Sequence, residues 1–426
     1  MITRIEIDGF KSFVGFAMDV RPCTVLMGVN GAGKSNLLDA LDFVRRTVTM
    51  GLQGALSGAN PRLAARDLFH HADGHGDAYT ASELTIKIGM LVPSTHGPLP
   101  LVVRLGIGRD GTPPDPVRVA WRGGRVWVSS LVHTEWMDRL GLPGQLRAAV
   151  AAARKAFLDR NRTDWAQLRD SDAALGGLRS EGARELLGVL ASETATWERI
   201  ALDPAAMRRP FGGSDELTLL SDGSNLSAVL QRLGSGELRD MEADLAALIP
   251  EASAIRPVFD HRRGEYDFDV RFRHTGWTSP PMLSDGTMRV LALLAAWYDD
   301  RRAGLLAVEE IENGLHPTRI AELVRRLRRD VDDFPDLVDR ARQVSGFRQL
   351  IATTHSPVLL SALYDDPTGS LVFLEQASRV DPARAGISTV TRARPVREPR
   401  ADEEPGETVT AEQVKRLLEA MGQVTA

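Results

Sequence analysis

Apolar and polar residues alternate from Ile2 to Ile7 and again from Phe16 to Val20, and a nearly continuous apolar run fills Thr24 to Met27. That two-residue period predicts three short strands at the start of the chain. From Lys34 the period lengthens. Leu37, Leu38, Leu41 and Val44 recur at helical spacing, which predicts a helix to Val48, and Gly28 to Gly33 form a glycine-rich loop between strand and helix. Strand-like runs follow at Leu84 to Val92, Leu101 to Ile107 and Val117 to Trp121, with turn dipeptides at Asp110-Gly111 and Gly123-Gly124. Their spacing reads as an antiparallel layer. Near residue 131 the composition changes to Ala, Leu and Arg, with helices predicted over Gln145 to Arg160 and Ser180 to Thr194. Helices of this length span about 25–35 Å at ~1.5 Å per residue, and no heptad repeat extends them into a long coiled coil.

After this insertion, Ser224 to Leu233 and Leu238 to Leu248 carry helical patterns, the second ending at Pro250. Ile255 to Arg262 and Tyr266 to His274 read as two arginine-bearing strands. A helical run from Met288 to Tyr298 precedes two apolar strands, Leu305 to Val308 and one starting at Leu350. From Arg394 to Glu407 the chain is rich in Pro, Glu, Arg and Asp, a linker composition, and a helix from Ala411 to Met421 closes it. The pattern divides the chain into a first lobe (1–130), a helical insertion (131–214), a second lobe (215–375) and a tail (376–426). The fold class is α/β, with a mixed central sheet and an added antiparallel layer.

Composition narrows the class. Of 426 residues, 43% are hydrophobic and 26% charged, ordinary for a globular chain with a sizeable core. No apolar run approaches the roughly 20 residues that cross a bilayer, and the start lacks the basic and apolar blocks of a signal peptide. Cys23 is the single cysteine, which excludes a disulfide framework and points to a reducing, cytoplasmic setting. The net charge of −5 provides no global field for nucleic acid. Only five of the 52 basic residues are lysines (Lys11, Lys34, Lys87, Lys155 and Lys415), so a lysine at a motif position carries weight.

One such lysine stands in Gly28-Val29-Asn30-Gly31-Ala32-Gly33-Lys34-Ser35, a complete G-x-x-x-x-G-K-S phosphate loop. Glycines let the backbone turn its N–H groups toward phosphate oxygens, and the following helix N-terminus favours an anion. Asn30, Gly31, Ala32, Gly33, Lys34, Ser35 and Asn36 are therefore the expected nucleotide cradle. Lys34 would reach the β- and γ-phosphates, and the Ser35 hydroxyl would ligate Mg²⁺. A chance glycine turn would not be flanked by a strand and a helix in this order.

Leu305 to Val308 ends in paired acids, Glu309 and Glu310. A buried strand that delivers carboxylates to a phosphate loop is the Walker B arrangement, with Glu309 in the metal shell and Glu310 as the base that positions attacking water. Aspartate is more usual at the first position, so Glu309, one methylene longer, implies slower hydrolysis. Ser284-Asp285-Gly286 opens the helical run before this strand and forms a second small-residue anion site. Leu220-Ser221-Asp222-Gly223-Ser224 competes with it, and both could be plain N-caps. The strand from Leu350 ends at His355, whose neutral imidazole would donate to a γ-phosphate.

Phosphate loop, small-residue signature, paired acids and histidine occur in the order found in ABC-type ATPases. There the signature lies about 25 residues before Walker B, which selects Ser284 over Ser221. The chain also carries Glu312-Asn313-Gly314-Leu315-His316-Pro317, Thr353-Thr354-His355-Ser356-Pro357, Asp222-Gly223-Ser224-Asn225-Leu226 and an opening Ile5-Glu6-Ile7-Asp8-Gly9-Phe10-Lys11-Ser12-Phe13. These residues resemble the ABC-type ATPase heads of the OLD (overcoming-lysogenization-defect) family and its RecF- and SMC-like relatives, over about 1–130 and 215–375. The resemblance implies ATP and Mg²⁺ as cofactors and a homodimer that closes around two ATP molecules. It also implies work on DNA, or alongside a separately encoded nuclease or effector protein. In it, Ser284, Asp285 and Gly286 bind the γ-phosphate held by the opposite copy.

The chain departs from the pattern in three places. The stretch after His355's helix lacks the acidic constellation of a Toprim domain, so nuclease activity is not expected in this chain. Ile311 replaces a usual proline. Gln53 and Gln145 are the nearest candidates for a Q-loop glutamine, and neither stands out. Arg62 and Arg66 could touch phosphate, with surface ion pairs the simpler reading, and His70, His71 and His75 lie in a Gly/Asp-rich turn. Three functions remain open: a DNA-linked ATPase using Arg256, Arg262, Arg263, Arg271 and Arg273, a nucleotide-gated scaffold holding an effector, and a transporter ATPase. The helical insertion and the His316-Pro317 extension speak against the transporter and a membrane partner.

Overall fold

The computed structural model describes residues 1–56, 61–64, 67–72, 79–110, 120–129, 140–161, 181–214, 218–299, 301, 304–329, 331–341, 346–364, 371–381, 386–400, 403–404 and 406–420. The strand start expected at Val117, the Gly of the Asp110-Gly111 turn, Arg66, His75 and Met421 lie outside these residues.

Three strands open the chain: β1 (Ile2–Asp8), β2 (Phe16–Asp19) and β3 (Cys23–Met27), followed by the phosphate loop and the helix Lys34–Leu56. That helix runs past the expected Val48 and is kinked at Gly51, which has a φ of 75°. β4 (His71–Ala72) and β5 (Tyr79–Thr80) form a small ribbon. Long strands β6 (Glu83–Ser94), β7 (Gly97–Asp110) and β8 (Ala120–Ser129) complete an antiparallel sheet of order β2-β1-β6-β7-β8. This is the added layer that the alternating pattern predicts.

A six-stranded mixed sheet lies beside it, of order β16-β15-β3-β14-β13-β9. Its members are β9 (Glu198–Ile200), β13 (Leu305–Val308), β14 (Gln349–Thr354), β15 (Leu371–Asp381) and β16 (Gly386–Pro395), with β3 near the middle. β9, β13, β14, β3 and β15 run parallel, and β16 returns antiparallel to β15. Alternate side chains therefore enter two cores. Leu306 and Val308 of β13 join one core, with the helices Leu226–Arg232, Ser235–Leu248, Asp285–Tyr298 and Pro317–Arg329. Leu305 and Ala307 join the other, with Leu37, Leu41 and Val44 of the phosphate-loop helix and Ile5, Ile86 and Val103 of the antiparallel sheet. That helix is thus clamped between two sheets. A smaller sheet, β10 (Ala252–Asp260), β11 (Glu265–Phe272) and β12 (Gly276–Thr278), packs Ile255, Phe268 and Val270 into the first core.

Two segments are placed differently from their sequence-based assignment. The insertion drawn at 131–214 does contain helices, Gly144–Asn161 and Glu181–Ala195, but Leu190 and Trp197 are buried in the second core and β9 pairs with β13. Its last third therefore packs into the same core and sheet as the strands around it. The tail boundary at 376 falls inside β15, and β15 and β16 form the sheet's edge. The charged stretch from Arg394 is held by Arg397 to Glu403, Arg394 to Glu375, and a parallel bridge of Val396 to Val409. Composition reads charge density there, whereas the opposite charges pair.

Candidate functional site

Parallel strands end together, and the chain segments leaving their carboxyl ends converge. β3 delivers the phosphate loop, β14 delivers His355, β13 delivers Glu309 and Glu310, and β9 lies outermost. Gly31 and Gly33 have φ values of 84° and 98°, a region that costs little only for glycine, and a Cβ on Gly28 would sit 2.4 Å from the Leu374 oxygen. The glycines of the motif are thus required by the turn. Lys34 folds back into the loop, its Nζ donating to Gly28 O at 2.6 Å and Val29 O at 3.0 Å. Burial lowers the Lys34 ammonium's pKa, and the charges of Glu310 and Glu312 act in the opposite direction.

A cavity of about 270 Å³ is lined by Asn30, Gly31, Gly33, Lys34, Ser35 and Asn36 of the loop together with Arg62, Glu310 and Thr353. Residues of the phosphate loop and Glu310, more than 270 positions apart, thus share one space. Ala32 lies beneath, fully buried, its oxygen accepting from Thr391. A second space of about 400 Å³ adjoins the first through Asn36 and Arg62, with Lys11, Ser12, Phe69, His70, His71 and Thr389 in its wall. His70 and His71 therefore flank a cavity, and among the described residues no group of three or more His, Cys, Asp or Glu is placed to hold a metal by itself.

Glu310 has a φ of 46°, and Lys11 one of 47°; among the described residues these are the non-glycines with positive φ, and both stand at this site. Such a conformation costs about 1–3 kcal/mol and persists only where neighbours impose it. Here Thr353 Oγ1 accepts from Glu310 N at 2.8 Å, and Asn313 Nδ2 donates to Glu310 Oε2 at 2.5 Å. The effect is to swing the carboxylate from the end of β13 toward Lys34. Glu309, expected at the metal, is placed apart from the cavity wall. Arg199 of β9 donates to its Oε1 at 2.9 Å.

Arg199 also bonds Asp39 at 2.6 Å, and the same buried carboxylate takes Lys11 at 2.5 Å and Arg62 at 2.9 Å. Burial alone would raise the Asp39 pKa, but the Arg62 bond and the Lys11 and Arg199 charges hold it below the usual range. Arg199 is lowered by burial yet raised overall by Glu309 and Asp39. Arg62 thus makes an ion pair, as the simpler expectation had it, and also lines the cavity.

His355 N donates to Glu312 Oε1 at 2.6 Å, and Nδ1 lies 2.9 Å from the same oxygen. Glu312 is 8% exposed and its Oε2 has no partner. In the sequence Glu312 stands only within the Glu312 to Pro317 run, and Arg199 belongs to no motif. The one available signal was a third acid two residues beyond the Walker B pair.

Ser284 caps the helix Asp285–Tyr298, accepting from Thr287 N at 3.2 Å, and stands exposed with Asp285. Arg208 clips this corner, donating to Leu283 O at 2.9 Å and Asp285 Oδ1 at 2.5 Å. Gly286 has no room for a Cβ, which would meet Gly314 O at 2.4 Å. The competing Ser221-Asp222 turn is used internally: Ser221 O and Asp222 O accept from Ala201 N and Asp203 N, and Asn225 is fully buried. Gln53 and Gln145 do not line either cavity of the loop.

Residues 23–81 and 223–361 match the family model described as "AAA domain, putative AbiEii toxin, Type IV TA system". The first matched segment holds the phosphate loop, and the second holds Ser284, Glu309, Glu310 and His355. Among solved structures, the chain is similar to the SMC head bound to the C-winged helix domain of ScpA (15% identity, 92% of this chain and 97% of that chain, TM-score 0.46). It is also similar to the SMC head domain from Thermotoga maritima (11%, 93% and 99%, TM-score 0.43). A third is the Smc head with a coiled coil and joint from Pyrococcus yayanosii (12%, 99% and 99%, TM-score 0.46). No curated protein matches the chain. No helix among the described residues is long and apolar enough to cross a membrane.

Proposed function

We propose that the chain binds and hydrolyses ATP, that two copies close around two ATP molecules, and that this cycle drives a separately encoded effector or nuclease in DNA-related work of the OLD/RecF-like kind. The observation that carries the reading is Glu310, held in a strained conformation so that its carboxylate shares one cavity with Lys34 and Ser35. In this scheme the loop N–H groups and Lys34 take the β- and γ-phosphates, and the adjoining 400 Å³ space takes the nucleoside. Glu310 accepts a proton from the attacking water, and His355, oriented by Glu312, donates toward the γ-phosphate.

Mg²⁺ fits the donors present. Ser35 supplies a hydroxyl on the cavity wall and Glu309, at the end of β13, a carboxylate, and Mg²⁺ is held by one or two such groups plus phosphate and water. When bound, it would polarise the transferring phosphoryl group. Two exposed apolar side chains support the sandwich: Val29 at the tip of the loop, 72% exposed, and Met282 before Ser284, 78% exposed.

The second reading, a nucleotide-gated scaffold that holds an effector without touching DNA, is favoured by the arginine hairpin. Arg256 is engaged by Asp269 at 2.6 Å and lies 4.4 Å from the Trp277 ring, while Asp260 accepts from the backbone at Arg262 and Arg263. The hairpin's positive charge is partly neutralised within its own sheet.

The test is ATP turnover and sedimentation of wild type, Lys34→Ala and Glu310→Gln with Mg²⁺. Lys34→Ala should lose ATP binding, and Glu310→Gln should keep binding, sediment as a dimer and lose turnover by about 10²–10⁴-fold. A Glu310→Gln variant that turns over at the wild-type rate would remove the assignment.

A further inference from the structure

Arg199 occupies the carboxylate that the metal shell calls for. Its Nη2 lies 2.9 Å from Glu309 Oε1 while its Nη1 lies 2.6 Å from Asp39 Oδ1. Around these two acids stand three cations, Arg199, Lys11 and Arg62, so the five groups sum to +1. A divalent cation approaching Glu309 therefore meets a guanidinium already bound to the same carboxylate, and like charges on one ligand repel.

The three cations are not equivalent. The side chains of Lys11 and Arg199 are 11% and 14% exposed, against 48% for Arg62, which also lines the phosphate-loop cavity. Arg62 is thus the member of the cluster able to turn toward a phosphate. Once it does, Asp39 retains Lys11 and Arg199 alone, and with one competing cation fewer it draws Arg199 more strongly. Glu309 then loses its competitor.

We propose that Arg199 is a positioning residue that withholds Glu309 from the metal until a phosphate draws Arg62 off Asp39. The chain Arg62–Asp39–Arg199–Glu309 makes phosphate and metal binding cooperative, each raising the affinity for the other. This rests on the nucleotide reading of the site but does not depend on hydrolysis.

The experiment titrates Mn²⁺ by electron paramagnetic resonance into nucleotide-free protein. Wild type should bind weakly, Arg199→Gln about tenfold more tightly, and Arg62→Gln should move in the same direction because it mimics Arg62's departure. Adding Glu309→Gln to Arg199→Gln should abolish the gain. Arg199→Lys, whose single ammonium does not span both acids, should also bind more tightly and serves if Arg199→Gln fails to fold. Unchanged or weaker Mn²⁺ binding in the folded Arg199 variant, or a gain that survives Glu309→Gln, overturns the proposal. ATP binding by wild type in EDTA is measured separately, and its absence would sink the nucleotide reading instead.

Discussion

Thr391 donates its hydroxyl to the main-chain oxygen of Ala32 at 3.1 Å, across 359 positions of sequence. The same hydroxyl lies 2.8 Å from Ser12 Oγ, which accepts from Asn36 Nδ2 at 2.9 Å. A residue of the last sheet strand thus props the phosphate loop from below, beside Gly33, where a Cβ would collide with Thr391 Oγ1 at 2.2 Å. Thr391→Val keeps the shape and deletes the hydroxyl, leaving buried acceptors without their donor. ATP affinity should fall roughly tenfold, about 1.4 kcal/mol, with Thr391→Ser restoring most of it. Calorimetric titration with ATP measures both, and an unchanged affinity in Thr391→Val would show that the contact is packing alone.

Asp39 is a stability element as well as a relay. Its side chain is fully buried among three cations, so Asp39→Asn strands Lys11, Arg62 and Arg199 and should destabilise the fold by about 3–5 kcal/mol in urea unfolding. Its folded carboxyl is held below the usual carboxylate pKa. The stabilisation is therefore present above about pH 3.9, the unfolded value, and is lost as pH falls through the folded value. Asp39→Asn should flatten the stability–pH curve in that acid range. An unaltered slope would mean that Asp39 does not contribute to acid unfolding.

His355 and Glu312 should separate binding from chemistry. His355 is 47% exposed at its side chain while Glu312 is buried behind it. His355→Ala should lower turnover by about 10²–10³-fold with little change in ATP affinity, as loss of a donor aimed at developing charge does. Glu312→Gln should lower it by about tenfold, because the imidazole loses its charged anchor. Equal losses in Kd and turnover would instead mark both as residues of the binding pocket.

Much of this site could be read from the residues. The glycines at 28, 31 and 33, and Glu310 at the end of an apolar strand, are local features, fixed by turn sterics and strand burial. What escaped reading depends on pairing across the chain. β9 has three residues inside an Ala-rich helical stretch, too few for a periodic signal, so Arg199 had no visible partner in Glu309. Thr391 carries no motif, and its meaning comes only from β16 lying beside β15 and β3. The Arg394 to Glu407 stretch reads as linker because composition is blind to geometry. In the fold Arg397 bonds Glu403 and holds its carboxyl down to about 2.

The two-copy sandwich, in which Lys34 of one copy meets Ser284 of the other, is tested most directly by mixing two inactive variants. Lys34→Ala retains an intact signature, and Ser284→Arg retains an intact phosphate loop. In a symmetric dimer, half the mixed population would hold one complete site, so ATP turnover should recover to about a quarter of wild type. If each variant is inactive alone and the mixture stays inactive over a range of concentrations, while both still bind a partner copy, the composite site is contradicted.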